Sequence, residues 1–270
     1  MRVHHLNTGT MAPVGGRLVD GHPGLLRRAK LVCHCLLLET STGLVLVETG
    51  MGTPAVTDPV RWLGRWFVTV SQPVPRAEET ALSQVRALGF DPADVRDIVL
   101  THLDLDHAGG LVDFPHARVH VYAAELAAYH AGNRRYRRVQ FAHGPQWTSY
   151  PDAGDDWFGF SAVRELTGVP GVALVPLAGH TPGHAGIAVH TDAGWLLNAG
   201  DAYFFHSEID SPAAIPPGLA LFERLVQTLP EQRVANQQRL RELRRSTDVT
   251  IFAAHDRTDF ERLSAARAAG

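Results

Sequence analysis

The sequence predicts an α/β fold, and three observations lead to that class. Short apolar segments typical of strands alternate along the chain with segments of helical periodicity. Polar side chains suited to metal binding directly follow several of those strand-like segments, as expected where strands end at the edge of an α/β sheet. The chain has 270 residues, 45% of them hydrophobic, which is enough to bury a substantial core. We therefore expect one large domain over residues 1–270 rather than two.

The predicted elements follow one another along the whole chain. Strands are predicted where apolar residues form a short run or alternate with polar ones: within 1–20, then at 31–40, 43–48, 97–100, 118–122, 172–177, 185–190, 194–199 and 249–253. Helices are predicted by helical spacing and by glycines or prolines at their ends: at 77–89, 123–131, 218–245 and 256–268. The segments 31–40 and 43–48 flank Ser41-Thr42-Gly43 and predict a hairpin.

One long segment, residues 51–76, interrupts this alternation early in the chain. We expect it to be irregular, and a loop of that length in a compact domain is often functional. Its aromatic side chains could roof a substrate pocket or equally cover a core or dimer surface: Trp62, Trp66 and Phe67.

A second interruption, residues 132–165, is expected to form a lid or an insert. It contains an arginine-rich run at 133–138, which indicates either an anionic partner or, more commonly, a solvated helix face. His143 in the same segment is expected to be a structural histidine, with a substrate contact as the alternative.

The densest group of candidate metal ligands lies in Thr101–Gly110. Four such side chains fall within six residues directly after the strand-like segment 97–100: His102, Asp104, Asp106 and His107. Imidazole and carboxylate together suit a divalent transition ion, and a strand end lets several ligands converge. The alternative is a solvated Asp pair that opens a helix, with incidental histidines.

Three further candidates repeat the same placement and weaken that alternative. His180 follows the strand-like segment 172–177, Asp201 follows the apolar run near 194–199, and His255 closes 249–253. Strand ends that meet at one edge are where an α/β scaffold builds a site.

The order of these segments resembles the metallo-β-lactamase-fold hydrolases, whose hallmark is His-x-His-x-Asp-His, then a His, a bridging Asp and a last His. The resemblance extends from Glu48-Thr49-Gly50, similar to the family's Asp-Thr-Gly turn, to His255-Asp256. It implies a four-layer αβ/βα sandwich of two similar halves, with a dinuclear site at one edge between the sheets. It also implies two divalent metal ions, whose ligands would be His102, Asp104 and His180 for one, Asp106, His107 and His255 for the other, and Asp201 as the bridge.

Two positions depart from the family pattern. Asp104 stands where the family usually has its second His, and Glu48 stands where it has Asp. The extra carboxylate makes the ligand shell one unit more negative, which should weaken the ions as Lewis acids and favour iron or manganese. An acidic residue there resembles the flavodiiron branch, which uses iron but also needs a flavodoxin domain for which this chain has no room. We expect zinc first, with iron and manganese as alternatives.

The expected activity is hydrolysis by a hydroxide that bridges the two ions and attacks a polarised carbonyl carbon. Asp106 is expected to bind metal and also to carry the proton to the leaving group. Tyr203, two residues beyond Asp201, is expected to donate a hydrogen bond to the carbonyl or oxyanion, with a buried core tyrosine as the alternative. The favoured substrates are a carboxylic ester, a thioester or, slightly ahead, a lactone.

Other functions remain open from the sequence. A phosphodiesterase is supported by the arginine run, a metal-bound protein without catalysis by the unusual Asp104, and an iron-dependent oxidoreductase by the flavodiiron resemblance. Metal content, ester turnover and oxygen consumption would separate these alternatives.

Four further residues are expected to have supporting or neutral roles. His184 and Glu48 are expected to orient ligands rather than bind the ions. For His184 the reason is that the spacing to Asp201 fits the family better from His180. Cys33 and Cys35 share one face of a strand and are expected to be free, buried and apolar in role, with metal or redox work as the alternative.

The composition restricts the partners. A formal net charge of −3 indicates neither nucleic acid nor an anionic membrane as partner, so a small-molecule substrate is expected, and a homodimer is left open. The first residues lack a continuous apolar region, and no run approaches transmembrane length. A cytoplasmic location is therefore the default expectation.

Overall fold

The computed structural model describes residues 1–211, 214–246 and 249–268, and its strands form two sheets. The strands are Arg2–Met11 (β1), Leu31–Thr40 (β2), Gly43–Val47 (β3), Pro73–Val74 (β4), Val95–Val99 (β5), Arg118–Tyr122 (β6), Gln146–Tyr150 (β7), Asp155–Trp157 (β8), Phe160–Leu166 (β9), Val169–Pro176 (β10), Ala185–Thr191 (β11), Gly194–Asn198 (β12) and Thr250–Phe252 (β13).

The helices connect and cover these strands. They are Arg17–Asp20 (α1), Pro54–Thr57 (α2), Pro59–Leu63 (α3), Arg65–Ser71 (α4), Ala81–Ala87 (α5), Ala123–His130 (α6), Pro217–Val226 (α7), Pro230–Ser246 (α8) and Arg257–Ala268 (α9). Several short 3-10 turns lie between them.

The first sheet has the order β4-β1-β2-β3-β5-β6-β7, and the second has the order β13-β12-β11-β10-β9-β8. In the first sheet β3, β5, β6 and β7 run parallel, whereas β1 to β3 form an antiparallel meander. The second sheet is antiparallel except for the pair of β12 and β13. The segments 31–40 and 43–48 form the predicted hairpin, with Leu38 opposite Val45.

Alternation along the strands produces the layers. In β2, Leu36 and Leu38 face a core shared with the second sheet, while Leu37 faces the opposite side. The shared core is completed from the second sheet by residues such as Leu174 and Ile187. The two sheets therefore pack face to face through one apolar layer.

Helices cover the outer face of each sheet. On the first sheet, Val85 of α5 packs in a second apolar cluster, against which Leu126 of α6 also packs. On the second sheet, Leu240 and Leu243 of α8 complete a third cluster. This helix–sheet–sheet–helix arrangement confirms the predicted four-layer α/β sandwich.

The segment 51–76 was predicted to be irregular, and this prediction is wrong: the segment contains three short helices. Prolines in the first turn of α2 and α3 preset the backbone for helix, and Asp58 caps α3 by accepting from the Arg61 amide at 3.1 Å. These local signals favour helix although the segment lacks helical periodicity.

The single helix predicted over 218–245 is instead two helices, α7 and α8. Gln227 between them is extended, and Pro230 opens the second helix, which disfavours helix at the residue before it. The amide of Thr228 in the break donates to the carbonyls of Gly179 and His180 at 3.0 and 3.1 Å. The interruption therefore supports the loop that carries His180.

The segment 132–165, expected to be a lid or insert, supplies strands to both sheets. β7 pairs with β6 in the first sheet, and β9 pairs with β10 in the second. The arginine-rich run lies in a loop rather than on a helix face, because α6 ends before Gly132, whose φ is 80°. Among the residues that the structure describes, no helix is both long and apolar enough to cross a membrane.

Candidate metal centre

The loop Thr101–Gly110 is held in a compact turn directly after β5. The amides of His107 and Ala108 donate to the Asp104 carbonyl at 3.0 and 2.9 Å. A Cβ at Gly109 would lie 2.5 Å from two carbonyl oxygens of neighbouring backbone, so only glycine allows this packing. The turn directs its histidines and carboxylates towards the space between the sheets.

Loops from both sheets deliver the other predicted ligands to the same place. His180 lies between β10 and β11, Asp201 follows β12, and His255 follows β13. All three are buried, as is His102 after β5. The structure therefore brings the seven predicted ligands together at one edge of the two sheets.

The first ligand group contains His102, Asp104, His180 and Asp201. Oδ2 of Asp104 lies 3.3 Å from Nε2 of His102 and 3.1 Å from Nε2 of His180. Oδ2 of Asp201 lies 3.2 Å from His180 Nε2 and 3.8 Å from His102 Nε2. A tetrahedral ion with bonds of about 2.0–2.1 Å separates its ligand atoms by about 3.3–3.4 Å, so the spacing fits a divalent ion.

The second ligand group contains His107, Asp201 and His255, and Asp106 joins it through His255. Oδ1 of Asp201 lies 3.4 Å from Nε2 of His107 and 3.2 Å from Nε2 of His255. The two histidine nitrogens are 3.3 Å apart, and Oδ2 of Asp106 is 3.6 Å from that of His255. Asp201 thus faces one group with each carboxylate oxygen, which is the geometry required of a bridging ligand.

The ring orientations leave the Nε2 atoms available for metal. Nδ1 of His107 bonds to Oε2 of Glu48, Nδ1 of His255 to the Val32 carbonyl, and Nδ1 of His102 to a threonine hydroxyl, each at 2.8 Å. Within the described ranges, His102 Nε2 and Asp201 Oδ1 are buried and have no hydrogen-bond partner. Buried polar atoms without partners are costly unless something binds them, which supports divalent ions at these atoms.

Burial and neighbouring charges act against each other on the pKa values of this cluster. Burial by itself lowers the pKa of His107, but the Asp201 and Glu48 carboxylates outweigh burial and hold that pKa well above its usual value. Burial by itself raises the pKa of Asp201, but the surrounding histidines outweigh it and hold that pKa well below its usual range. Asp201 therefore stays ionised, as a carboxylate ligand of a cation must.

His184 and Glu48 lie where supporting residues belong. Nε2 of His184 accepts a hydrogen bond from the Asp201 backbone amide at 3.0 Å. Burial lowers the pKa of His184 to about 3, so the ring stays neutral. Glu48, at a φ of 67°, accepts the Thr101 amide at 2.6 Å besides orienting His107. Neither side chain belongs to a ligand group among the residues described.

Arg135 is a residue of this site that the sequence interpretation missed. Its Nε and Nη2 each lie 2.5 Å from one carboxylate oxygen of Asp104, and Nη2 also lies 2.5 Å from His180 Nε2. The guanidinium offsets the extra negative charge expected from Asp104, so the predicted excess charge of the ligand shell is compensated. Because Arg135 is one of four arginines in a loop, no local signal distinguished it.

Glu125 on α6 is the second missed residue. Its Oε1 accepts from the Leu103 amide at 2.9 Å and the Tyr136 hydroxyl at 2.8 Å. Its Oε2 accepts from the Thr181 hydroxyl at 2.7 Å and the Gly183 amide at 3.1 Å. This buried carboxylate therefore ties the His102 loop to the His180 loop. A single acidic residue in the apolar stretch 123–128 was the available signal.

Both cysteines are free and buried, and one of them lies beside the second ligand group. Cys33 clusters with Asp106 and His255, with one ligand atom of each within 4.8 Å of the others. Cys33 also packs in a fourth apolar cluster with Met51 and Phe67, so the predicted apolar role describes most of its surroundings.

The position of Tyr203 does not agree with the role expected for it. The ring is fully buried in the third apolar cluster under α8, and it does not line the cavity over the ligands. The chain turns after Asp201, so the residue two positions on points into the core of the second sheet. The alternative of a core tyrosine describes its position. His143 also lies away from the cavity lining.

A cavity of about 690 Å³ opens above the ligand groups. Asp104, Asp106, His180, Asp201 and His255 lie at its floor. Its walls are mostly apolar and include Met11, Leu63, Trp66, Phe67, Leu219 and Phe222, with Arg134 and Arg137 at the side. The size is typical of a small-molecule site.

The predicted aromatics of 51–76 divide between core and cavity. Trp62 is buried, and its Nε1 donates to the carbonyls of Met51 and Gly109 at 3.0 and 3.2 Å. Trp66 is 59% exposed, lines the cavity and stacks on Phe222 with ring centroids 6.3 Å apart.

Comparisons with known proteins agree with this architecture. A probable metallo-hydrolase of Mycobacterium tuberculosis is 42% identical over 264 residues, covering 95% of this chain and 80% of that protein. The N-acyl homoserine lactonase AttM of Azorhizobium caulinodans is 30% identical over 228 residues, covering 82% of this chain and 80% of that protein.

A solved structure and a family model complete the comparison. The structure of an N-acyl homoserine lactone hydrolase, with the product N-hexanoyl-L-homoserine at its catalytic metal center, superposes with a TM-score of 0.73. It is 23% identical and covers 96% of this chain and 95% of that chain, which shows a shared fold. The family model of the metallo-beta-lactamase superfamily matches residues 28–255. The resemblance seen in the sequence is confirmed, and the chain belongs to the metallo-β-lactamase superfamily.

Proposed function

We propose that this chain hydrolyses a carboxylic ester, lactone or thioester with the help of divalent ions at the two ligand groups, with a lactone as the first choice. A metal-dependent hydrolase follows from the family and from relatives named as metallo-hydrolases and lactonases. The observation that carries the finer proposal is the position of five candidate ligands at the floor of an open, largely apolar cavity.

Divalent ions bound at these groups would polarise a carbonyl and make water available as a nucleophile near neutral pH. Imidazole and carboxylate ligands in both groups suit zinc, and they also suit iron or manganese. Asp201 is the residue on which both groups depend, because it belongs to each of them.

The chain's own residues supply orientation and proton transfer. Asp106 faces the cavity, and its carboxylate lies next to His255, so we assign it the transfer of a proton to the leaving oxygen or sulfur. Phe204 stacks on His255 with an interplanar angle of 9° and contacts Phe222, which continues the apolar wall to Trp66. That wall would bind the acyl part of a substrate and exclude water from it.

Arg134 and Arg137 on the cavity wall favour one alternative, a phosphodiester substrate. The two proposals differ in which part of the substrate the wall recognises. A phosphodiesterase should lose activity when Arg134 is replaced by Gln, whereas turnover of an uncharged lactone should not depend on that charge.

The experiment is a panel of lactones, esters, thioesters and phosphodiesters, run on protein reconstituted separately with zinc, manganese and iron. Turnover of the carbonyl substrates, lost together with bound metal in Asp201→Asn, is the expected result. Asp152→Asn, at an exposed position, is the matched control. Bound metal without turnover of any substrate would favour a binding protein, and oxygen consumption by the iron form would favour an oxidoreductase.

A further inference from the structure

The guanidinium of Arg135 lies at the first ligand group, in the place that an ion would take. Its Nη2 is 2.5 Å from Asp104 Oδ2 and 2.5 Å from His180 Nε2, two atoms that are themselves 3.1 Å apart. Zinc in the same position would lie about 2.0–2.1 Å from each. One nitrogen of the arginine therefore contacts two of the four ligand atoms of this group.

His180 cannot bind an ion and this arginine at the same time. An imidazole nitrogen that accepts a hydrogen bond uses its one in-plane lone pair, and the same lone pair forms a bond to metal. A carboxylate has several lone pairs, so Asp104 can bind both. The competition is therefore located at His180 Nε2.

Further contacts hold the Arg135 side chain in this position. Its two other nitrogens are used as well, with Nε on Asp104 and Nη1 on the Val226 carbonyl at the end of α7. Its side chain is only 19% exposed, and that of Asp104 is 14% exposed. A bidentate, partly buried pair of this kind is stronger than a surface ion pair.

Among the residues that the structure describes, the second ligand group has no such competitor. In the part of the chain that the structure describes, no arginine or lysine forms an ion pair with Asp106, and the Nε2 atoms of His107 and His255 face each other and Asp201. The two groups share a bridging residue but differ in the charge next to them.

We infer that Arg135 makes the two groups unequal: the second group binds one divalent ion tightly, and the first binds another only when the guanidinium leaves His180. This inference rests on the proposed metal-dependent function. Asp104 and Arg135 act together, since the carboxylate holds the arginine in place.

The test is the number and affinity of bound ions, not activity. Parent protein, Arg135→Gln and the exposed control Arg138→Gln are titrated with zinc in metal-buffered solution and measured by calorimetry and by metal analysis. In the parent we expect one tight site and one weaker site. In Arg135→Gln the weaker site should bind about 10- to 100-fold more tightly, because the guanidinium that contacts His180 Nε2 and Asp104 is replaced by a shorter, uncharged side chain. Arg138→Gln should match the parent.

Three outcomes overturn the inference. Two equally tight sites in the parent, unchanged in Arg135→Gln, would show no competition while leaving the proposed function intact. Weaker binding at the first group in Arg135→Gln would show that the arginine supports Asp104 as a ligand. No bound metal in any of the three proteins would remove the proposed function together with the inference.

A second variant guards against a fold defect in Arg135→Gln. Arg135→Lys keeps the charge, but an ammonium cannot bond both oxygens of Asp104 and reach His180 in one fixed geometry. The weaker site should tighten by a smaller factor than in the Gln variant. An affinity identical to that of the parent would overturn the inference.

Discussion

Replacing Glu125 with Gln should loosen both loops that carry the first ligand group. The carboxylate accepts four hydrogen bonds, two at each oxygen, and a Gln side chain keeps only one oxygen. The hydroxyls of Tyr136 and Thr181 can rotate and accept from the new amide. Whichever way the Gln side chain is oriented, its NH2 group faces the backbone N–H of either Leu103 or Gly183, so that two donors oppose each other.

The expected loss in the free energy of unfolding follows from the number of hydrogen bonds that the variant cannot make. One backbone amide loses a bond to a charged acceptor and is left buried without a partner, at a cost of about 1–3 kcal/mol, and the opposed donors add to it. The neutral side chain recovers part of the cost because burying a carboxylate is itself unfavourable; burial raises the pKa of Glu125 for the same reason. We expect a net loss of about 2–4 kcal/mol in the free energy of unfolding.

The assay is urea unfolding of metal-free protein, so that bound ions do not add their own stabilisation. With a slope of about 3 kcal/mol/M, the midpoint of Glu125→Gln should fall by roughly 1 M. Glu78→Gln, at an exposed position, should remain within about 0.5 kcal/mol of the parent. Zinc affinity should fall by about tenfold in the Glu125 variant alone. Equal midpoints for both variants would refute the reasoning that this carboxylate joins the loops.

Three further predictions concern other side chains. His184→Ala removes the acceptor of the Asp201 amide, so both ions should still bind but about 10- to 100-fold more weakly, as measured by zinc titration; loss of one whole ion would instead make His184 a ligand. The hydrogen bond to Asp256 raises the pKa of His206, so this bond stabilises the fold fully below about pH 6.5 and its contribution is lost as the pH rises through the raised pKa. His206→Gln should therefore lower the free energy of unfolding by up to about 1 kcal/mol at pH 6 and by little at pH 9, as measured by thermal unfolding. An equal loss at both pH values would contradict this. Trp66→Ala should raise KM for long-chain acyl substrates by about 5- to 30-fold with kcat nearly unchanged, while a short-chain substrate serves as the control; equal effects on both would remove Trp66 from the acyl site.

The candidate metal ligands could be anticipated because their signal is local. Each follows a short apolar run, and strands of an α/β sheet present their ends at a common edge. His102, His180, Asp201 and His255 therefore needed only correct strand assignments to be placed together. The hairpin at 31–48 was predictable for the same reason, since alternation and a turn residue lie within a few positions of each other.

The errors arose where the direction of a side chain depends on distant packing. Tyr203 is close to Asp201 in sequence, yet the turn between them sends the ring into the core under α8. The break between α7 and α8 is stabilised by hydrogen bonds to the His180 loop, about 50 residues earlier in the chain. Neither feature follows from periodicity, which reports only the near neighbours of a residue.

The sequence by itself determined the family, the layered α/β class and the side chains that converge on the site, because ligand spacing and strand periodicity are properties of short segments. Only the tertiary structure decided which charges meet there. Asp104 and Arg135 are 31 positions apart, and Glu125 reaches two loops that lie on either side of it in the chain. A buried charge without a partner is costly, so buried charged groups are paired, and the fold rather than nearness in sequence decides which groups meet.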